Sequence, residues 1–577
     1  MIELTINNIK VKAEEGMTIL DAAKSVGVNV PTLCHMKDLF PTGACRICVV
    51  EVEGMRGLIP SCAYPVSEGM KVQTNSPRVK TARKTIVELL LENHPQDCLI
   101  CVRNKNCELQ NLSEIYGLRE HRFAGEKKEH AIDVSSPSME RDPAKCILCG
   151  RCVRTCAEIQ KVGAIDFTDR GFKSNVTTPF NKGLNISDCI LCGQCILVCP
   201  TAALREKSSA KEVIYALGDK NKYVIAQVAP AVRASIGEEY NFPLGTNATG
   251  QLVTGLRRLG FRKVFDTNFA ADLTIMEEGT ELISRITKNI NLPMFTSCCP
   301  GWVKFVEQEK PELLEHVSTC KSPHEMEGAV LKSYYAKKMG IDPKDIFVVS
   351  IMPCTVKKFE SARPELNVEH MPDVDAVLTT RELVRLFKMS GIDFNDLPED
   401  KFDDPLGEST GAAAIFGTTG GVMEAALRTA YFKLTGTELE ELELNEIRGL
   451  DGIKESTIKI NGLDVNVAVV NGIGNVRPVL EQIKNGTCKY HFIEVMACPG
   501  GCINGGGQPI HQKPEKVRKR ISVLYEIDSK MKKRRSHENE SVMRLYKEYF
   551  VEPNSHKAHE ILHTSYTDRK RILKGEL

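Results

Sequence analysis

Cysteine dominates the chemistry that this chain can perform. The 577 residues include 22 cysteines, and a chain of this length can build hydrophobic cores without disulfide staples. Metal ligation is therefore the better use for so many thiols. The spacing of the cysteines indicates which metals they would hold.

The most specific pattern is C-x2-C-x2-C-x3-C, which occurs twice. Three thiolates spaced three residues apart wrap one face of a [4Fe-4S] cubane, and the fourth cysteine of each run belongs to the other cluster. Zinc knuckles do not use this triple spacing. The predicted ligand sets are Cys146, Cys149, Cys152 and Cys199 for one cluster, and Cys189, Cys192, Cys195 and Cys156 for the second.

Two further ligand sets precede these runs. The first is Cys34, Cys45, Cys48 and Cys62, and four such thiolates suit either tetrahedral zinc or a two-iron cluster. The second, the histidine–cysteine set, is His94, Cys98, Cys101 and Cys107, in which the histidine stands where a fourth thiolate is missing. A zinc site with the same four ligands is the chemical alternative to an iron-sulfur cluster there.

Seven cysteines remain, and five of them fall in three short motifs. These motifs are Thr296–Trp302 with Cys298 and Cys299, Met352–Pro353–Cys354, and Met496–Cys502 with Cys498 and Cys502. Two adjacent cysteines could also be a strained disulfide or inert core thiols. A chain of clusters, however, implies single-electron transfer, which needs a terminus that performs redox chemistry. Cys320 and Cys488 have no assigned role and are treated as free thiols.

The elements that must position these residues divide the chain into four predicted domains, at 1–78, 79–126, 127–209 and 210–577. Short strands surround a helix at Ile19–Val26 in the first, and a helix at Thr81–Glu92 leads to His94 in the second. In the fourth domain, apolar strands alternate with helices. The strands Tyr223–Val228, Lys263–Asp266, Ile346–Met352 and Phe492–Met496 place nearly every candidate residue just past a strand's carboxyl end, where open α/β sheets bind ligands.

Charge and hydropathy exclude several classes of function. Lys and Arg total 76 against 75 Asp and Glu, which provides no global field for nucleic acid or an anionic membrane. No apolar stretch reaches 18 residues and the first residues alternate like a strand, so we expect a cytoplasmic protein without a membrane span. The glycine runs at 417–421 and 500–507 do not fit a phosphate loop and favour close packing around a cluster.

The tail after Pro514 is basic and helical, and the run Lys530–Arg535 is expected to be a solvated face. His556, His559 and His563 share one helical face and could bind a metal, but an exposed or capping role is favoured because no carboxylate or cysteine completes the set at ligand spacing.

The three motifs Thr296–Trp302, Met352–Lys358 and Met496–Pro509 together resemble the signatures of [FeFe]-hydrogenases. The domain order resembles the monomeric clostridial ferredoxin-dependent type. This resemblance implies a multi-domain α+β and α/β fold. Its parts would be a plant-type ferredoxin-like domain, a small cluster domain built on the histidine–cysteine set, a bacterial two-[4Fe-4S] ferredoxin-like domain and a large α/β H-cluster domain. The first two domains resemble the corresponding domains of hydrogenases and of respiratory complex I. They would hold one [2Fe-2S] cluster and the first of three accessory [4Fe-4S] clusters.

The resemblance also implies residue roles. Cys299, Cys354, Cys498 and Cys502 would hold a [4Fe-4S] cubane, and Cys502 would bridge to a di-iron subsite with CO, cyanide and a dithiolate. Lys357 would donate to a cyanide, with Pro230, Met352 and Met496 shaping the pocket. Cys298, Glu278, Ser318, Glu281 and Arg285 resemble a proton relay, and Glu278, Glu281 and Arg285 share one face of a predicted helix from Asp272 to Ile286.

The implied reaction is reversible reduction of protons to H2. Ferredoxin or flavodoxin is the expected electron partner because no flavin or nicotinamide fingerprint is present, and dedicated maturation enzymes are implied for the di-iron subsite. Three alternatives are a non-catalytic relative of the nuclear iron-sulfur assembly type, an electron-input subunit like that of complex I, and a hydrogen sensor. The intact motifs argue against the first, the cysteines after residue 209 against the second, and the relay residues against the third.

Overall fold

The structure is a computed structural model that describes residues 1–120, 122–123, 125–127, 130–510 and 513–570. Its first part is a five-stranded sheet with the order β2-β1-β5-β3-β4. One helix, α1 (Ile19–Ser25), packs against the sheet and ends one residue earlier than predicted. The strands are β1 (Ile2–Ile6), β2 (Ile9–Ala13), β3 (Val49–Val52), β4 (Ile59–Pro60) and β5 (Lys71–Gln73).

Two helices follow, and they flank the predicted histidine–cysteine set. Helix α2 (Pro77–Glu92) begins four residues before the predicted start. Ser76 caps this helix by accepting a hydrogen bond from the Val79 amide, and Pro77 is pre-organised for the first helical position. Helix α3 (Glu108–Ile115) begins directly after Cys107.

The part of the chain between residues 139 and 206 contains two short helices, each preceded by a glycine, and two pairs of strands. Its strands form two antiparallel pairs, β6 with β9 and β7 with β8: β6 (Met139–Arg141), β7 (Asp166–Thr168), β8 (Asn175–Thr177) and β9 (Leu204–Glu206). Helices α4 (Arg151–Arg154) and α5 (Gln194–Val198) are preceded by Gly150 and Gly193. Both glycines are left-handed, with φ of 69° and 70°, a conformation that glycine adopts without steric cost.

Two four-stranded sheets, one parallel and one mixed, form the rest of the core. The first has the order β11-β10-β13-β16 with all neighbours parallel, and the second has the order β12-β19-β18-β17 with only the β17 edge antiparallel. Their strands are β10 (Tyr223–Val228), β11 (Lys263–Asp266), β12 (Met294–Phe295), β13 (Ile346–Met352), β16 (Ala376–Thr379), β17 (Ile453–Ile460), β18 (Leu463–Asn471) and β19 (Phe492–Met496). A separate antiparallel pair consists of β14 (Asn367–Val368) and β15 (Met371–Pro372). All four strands predicted here are present with the predicted bounds.

Helices cover both sheets and bury their apolar faces. The longest, α9 (Thr267–Lys288), includes the predicted stretch from Asp272 to Ile286. The others are α6 (Ala210–Gly218), α7 (Pro230–Arg233), α8 (Thr249–Leu259), α10 (Pro300–Glu309), α11 (Pro323–Val330), α12 (Ala336–Met339), α13 (Val356–Glu360), α14 (Thr380–Met389), α15 (Gly411–Ala414), α16 (Gly421–Thr435) and α17 (Arg477–Lys484). This mixture of α+β and α/β parts confirms the predicted fold class.

The tail adds α18 (Pro514–Lys530), α19 (Glu540–Leu545) and α20 (His556–Leu562). The prediction of a solvated face for the run Lys530–Arg535 holds for Lys530 and Lys532, which are exposed, and is wrong for the three residues that follow Lys532. Helix α18 ends at Lys530, and the partly buried Arg534 pairs with buried Asp528 at 2.6 Å while Lys533 pairs with Glu408 at 2.6 Å. Among the helices that the structure describes, none is long and apolar enough to cross a membrane.

Candidate active site

A cavity of about 70 Å³ lies where the two sheets meet. Strands β10, β13 and β19 end at Val228, Met352 and Met496, so the loops after them converge on the cavity from their carboxyl ends. Its lining includes the predicted pocket residues Pro230, Met352 and Met496, with Cys298, Cys354, Lys357 and Cys502. The structure therefore brings residues of all three motifs to one place.

The four thiols of the predicted cubane lie together beside this cavity. Cys498 and Cys502 each lie close enough to Cys299 and Cys354 to interact electrostatically with both. Burial, and then the neighbouring thiols, raise the pKa of Cys498 far above its ordinary value. Four half-buried thiols whose charge is so disfavoured fit a cationic iron cluster, because the metal would stabilise their thiolates.

Lys357 supplies positive charge at the cavity wall. Its ammonium donates to Glu360 at 2.6 Å and to the Ser322 hydroxyl at 2.7 Å, and it lies 3.3 Å from the Cys298 carbonyl oxygen. Burial opposes this charge, but Glu360 outweighs that effect and raises the pKa of Lys357. A fixed ammonium here can donate hydrogen bonds to an anionic ligand in the cavity.

The predicted relay residues lie on α9, on the segment between β12 and α10, which carries Cys298, and on the segment between α10 and α11, which carries Ser318. The Ser297 amide donates to Glu278 at 3.3 Å, and the Ser318 hydroxyl donates to Glu281 at 2.8 Å. Ser318 also lies beside Glu278 and favours its charged form, although burial, followed by repulsion from Glu281, raises the pKa of Glu278 to about 8. A carboxyl group with that pKa can gain and lose a proton near neutral pH.

Cys298 separates the cavity from this buried carboxyl. Burial and the nearby Glu278 keep the pKa of the Cys298 thiol well above its ordinary value, so the group is a neutral thiol. The structure thus brings Cys298, Glu278, Ser318 and Glu281 into one buried series that starts at the cavity.

Arg285 joins the series only at its far end. The buried guanidinium donates to Glu281 at 2.6 Å and to the carbonyl oxygens of Glu315 and Val317 at 3.0 Å each. The guanidinium also donates to the Asn291 carbonyl oxygen at 3.3 Å, and together these bonds hold it beside Glu281.

Two more cavities enclose the predicted cubane sets of the repeated motif. One is lined by Cys146, Cys149, Cys152 and Cys199, and the other by Cys156, Cys189, Cys192 and Cys195. Each cavity therefore collects three cysteines from one run and the fourth from the other run, as the crossed pattern predicts. Their role as ligands stays a prediction.

The first four cysteines also come together. The thiols of Cys48 and Cys62 lie 3.4 Å apart, and Cys34 contacts both Cys45 and Cys62. The contacts run from Cys45 to Cys34, from Cys34 to Cys62 and from Cys62 to Cys48. The structure therefore gathers all four predicted ligands at one place.

The histidine–cysteine set is gathered between α2 and α3. Cys98 and Cys101 belong to one turn, closed by a 3.2 Å hydrogen bond between their backbones, and Cys107 lies near Cys101. His94 is buried with its Nδ1 atom lacking a hydrogen-bond partner in the structure, and burial lowers its pKa to about 4. A buried neutral imidazole with an orphaned nitrogen fits a metal ligand.

Several contacts around the thiols were not predicted. Gln160 donates to the Cys192 sulfur at 3.2 Å, and Lys304 donates to the Cys189 carbonyl oxygen at 2.7 Å. His324 lines the active cavity and lies 2.8 Å from the same Glu360 that holds Lys357. No local spacing signals these side chains, because each meets its partner across at least 30 residues of sequence.

The glycine runs provide close packing around the sites, as predicted. Gly417 lines the active cavity, and a side chain at Gly501 would meet the Thr419 amide at 2.7 Å. In place of a phosphate, the Gly420 amide donates to the buried carboxylate of Glu494 at 2.6 Å.

Comparison with known protein families matches the chain from end to end. The matched descriptions are "2Fe-2S iron-sulfur cluster binding domain" for residues 1–77, "NADH-ubiquinone oxidoreductase-G iron-sulfur binding region" for 83–122, "4Fe-4S dicluster domain" for 145–203, "Iron only hydrogenase large subunit, C-terminal domain" for 222–506 and "Iron hydrogenase small subunit" for 514–569.

Individual relatives show the same extent of similarity. The chain is 48% identical to "NADP-reducing hydrogenase subunit HndD" of Solidesulfovibrio fructosivorans, over 99% of this chain and 100% of that protein. It is 45% identical to "Iron hydrogenase 1" of Clostridium pasteurianum, over 98% and 100%. A solved apo [FeFe]-hydrogenase HydA1 variant from Chlamydomonas reinhardtii covers 63% of this chain and 99% of its own, with 45% identity and a TM-score of 0.57.

The cysteine motifs, the half-buried thiols around the cavity and the end-to-end matches agree. The chain belongs to the [FeFe]-hydrogenase family, as an iron-sulfur oxidoreductase with a hydrogenase domain at residues 222–506.

Proposed function

We propose that this hydrogenase reversibly reduces protons to H2 with electrons from ferredoxin or flavodoxin. The observation that carries the proposal is the buried series Cys298, Glu278, Ser318 and Glu281, which begins at a cavity lined by thiols and by Lys357. Proton reduction consumes protons and electrons at one site. This arrangement would deliver the protons by a route separate from the predicted electron path.

The cofactors in this proposal are one [2Fe-2S], three accessory [4Fe-4S] clusters and an H-cluster. Cys299, Cys354, Cys498 and Cys502 would hold the H-cluster cubane, with Cys502 shared with the di-iron subsite. When bound, the di-iron subsite with its CO, cyanide and dithiolate ligands would supply the low-valent metal at which protons and electrons combine. The boundaries 1–78, 79–126, 127–209 and 210–577 are proposed as the domains that hold these groups.

The protein's own residues would control charge and proton supply. Lys357 would hold an anionic ligand through its fixed ammonium, and Pro230, Met352 and Met496 would exclude water from the cavity. Cys298 would exchange a proton with the cavity and with Glu278. Arg285 would hold Glu281 in position.

The test is hydrogen evolution from reduced methyl viologen after co-expression with hydrogenase maturation enzymes. Infrared bands of CO and cyanide are expected in the matured protein. Protein made without the maturation enzymes is expected to be brown and inactive. Absence of both the bands and the activity from the matured protein would contradict the proposal.

A second candidate for the electron source is a partner subunit that exchanges electrons with NADP. The full-length similarity to "NADP-reducing hydrogenase subunit HndD" favours this source. Leu99 and Ile100 lie between two predicted ligands of the histidine–cysteine set and are 90% and 85% exposed, so they would be available for contact with a partner subunit. Purified chain that evolves H2 from reduced ferredoxin supports the first source. Activity that appears only with added subunits and NADPH supports the second.

A further inference from the structure

The relay as predicted ends at Glu281 and Arg285, whose side chains are 11% and 9% exposed. Arg285 is buried, and its guanidinium is occupied by Glu281 and by the carbonyl oxygens of Glu315 and Val317. Arginine stays protonated at any physiological pH, so it cannot pass a proton by releasing its own. A titratable group beside Glu281 is the better candidate to exchange protons with water.

His563, from the tail, lies next to Glu281. A ring nitrogen of His563, a Glu281 oxygen and the Cys320 sulfur all lie within 4.8 Å of one another. The Nδ1 atom is 2.8 Å from the Thr319 hydroxyl, and that hydroxyl is 3.5 Å from Glu281 Oε2. A continuous polar connection therefore links the imidazole to the relay.

Backbone pairing holds the ring in this position. The Lys321 amide donates to the Leu562 carbonyl oxygen at 2.8 Å, and the Thr564 amide donates to the Thr319 carbonyl oxygen at 2.8 Å. These bonds flank an antiparallel bridge between Cys320 and His563. The tail thus lies as a strand along the segment that carries Ser318.

The titratable groups facing His563 come from three elements. Glu277 on α9 lies 3.1 Å from His563 Nε2 and accepts a 2.5 Å hydrogen bond from Tyr546 in the tail. Glu281, also on α9, and Cys320 face the ring from the other side. His559 on α20 stacks on it, with ring centroids 4.0 Å apart.

His559 opens this buried group to water. His563 is only 7% exposed, whereas His559 is exposed at the surface of α20. Of the expected exposed or capping role, the exposed alternative is wrong for His563, which is buried at the C-cap position of α20. The carboxylates and cysteine that surround it come from α9 and from the segment between α10 and α11, so they could not be recognised from local spacing.

We propose that Thr319, His563 and His559 form the outer part of the proton path and connect Glu281 to bulk water. This inference rests on the proposed function. During H2 formation a proton taken up at His559 is carried by solvent water to His563 and passes from Nδ1 to the Thr319 hydroxyl, which gives its own proton to Glu281. During H2 oxidation the direction reverses. Each passage moves one proton and no electron.

Turnover of matured protein with reduced methyl viologen tests the path through two variants. His563→Gln keeps a polar side chain but cannot exchange a proton at pH 7, and Thr319→Val removes the hydroxyl while keeping the side-chain volume. Both are expected to lower turnover by about tenfold or more, within the range that positioned proton transfer contributes. The control is His556→Gln, because His556 is exposed and pairs with the exposed Glu560 in its own helix.

A second measurement follows proton movement without turnover. After transfer of resting protein to D2O, the carboxyl infrared band that disappears in Glu278→Gln reports hydrogen exchange at Glu278. Exchange is expected to be at least about tenfold slower in His563→Gln than in wild type and unchanged in His556→Gln. Iron content and the CO and cyanide bands are expected to be unchanged in every variant.

The outcomes separate this inference from the proposed function. If matured wild type evolves no H2, the proposed function fails. If wild type is active, but His563→Gln and Thr319→Val stay within twofold of it in both turnover and carboxyl exchange, the proposed function stands and the outer path is overturned.

Discussion

Replacement of Glu278 by glutamine is expected to abolish most turnover while changing how stability depends on pH. Glutamine keeps an oxygen that can accept the 3.3 Å hydrogen bond from the Ser297 amide. It cannot carry a proton between Cys298 and Ser318. A fall in turnover of about 10²- to 10⁴-fold is expected, which is the usual contribution of a positioned acid or base.

The effect on stability follows from the buried carboxyl group. The pKa of Glu278 rises from an ordinary 4.5 to about 8 because the group is buried. Its contribution to stability is therefore fully present below about pH 4.5 and is lost as the pH rises toward 8. At 1.36 kcal/mol per pH unit, wild type should lose about 2–3 kcal/mol between pH 5 and pH 7 that the glutamine variant keeps.

Anaerobic denaturant unfolding at pH 5 and pH 7 measures this difference. The chain has one tryptophan, Trp302, which is completely buried in the hydrogenase domain and so reports its unfolding. Glu312→Gln is the control, because that carboxylate is exposed. A Glu278→Gln variant whose stability follows pH as wild type does would refute the burial argument, and turnover within tenfold of wild type would refute the relay.

Three further outcomes are expected. Cys298→Ser should lower turnover severely while iron content, measured by chemical assay, stays at the wild-type value; a proportional loss of iron would instead make this residue a ligand. Gly506→Ala should lower the free energy of unfolding by about 1–3 kcal/mol in denaturant titrations, because the added carbon would collide with the Cys192 carbonyl oxygen, and a variant as stable as wild type would contradict that close approach. His94→Ala should remove one four-iron cluster, seen as about four fewer irons per protein and a lost paramagnetic resonance signal, whereas unchanged iron would show that His94 is not a ligand.

The cysteine spacing predicted much of the arrangement, because cluster ligation imposes short, repeated separations. The crossed sharing of Cys156 and Cys199 between two cavities follows from that local rule. The strands β10, β11, β13 and β19 were also predictable, since buried parallel strands form continuous apolar runs. Their ends place the three motifs around one cavity.

Contacts made by long-range packing could not be predicted in this way. The sequence favoured an exposed position for His563, because its partners Thr319 and Glu277 are more than 240 residues away along the chain. The start of α2 was missed because a Ser–Pro cap before a weakly amphipathic turn is a small signal beside the apolar spacing that follows.

The close packing at Gly506 has a kinetic consequence. A side chain there would meet Gly193 Cα at 2.7 Å, so the backbone after Cys502 lies directly against the loop that carries Cys192. An electron that crosses this boundary stays within one chain, so the transfer is a first-order step that needs no encounter between molecules. Ionic strength should therefore alter the rate of electron entry from an external charged partner and leave the final internal transfer unchanged.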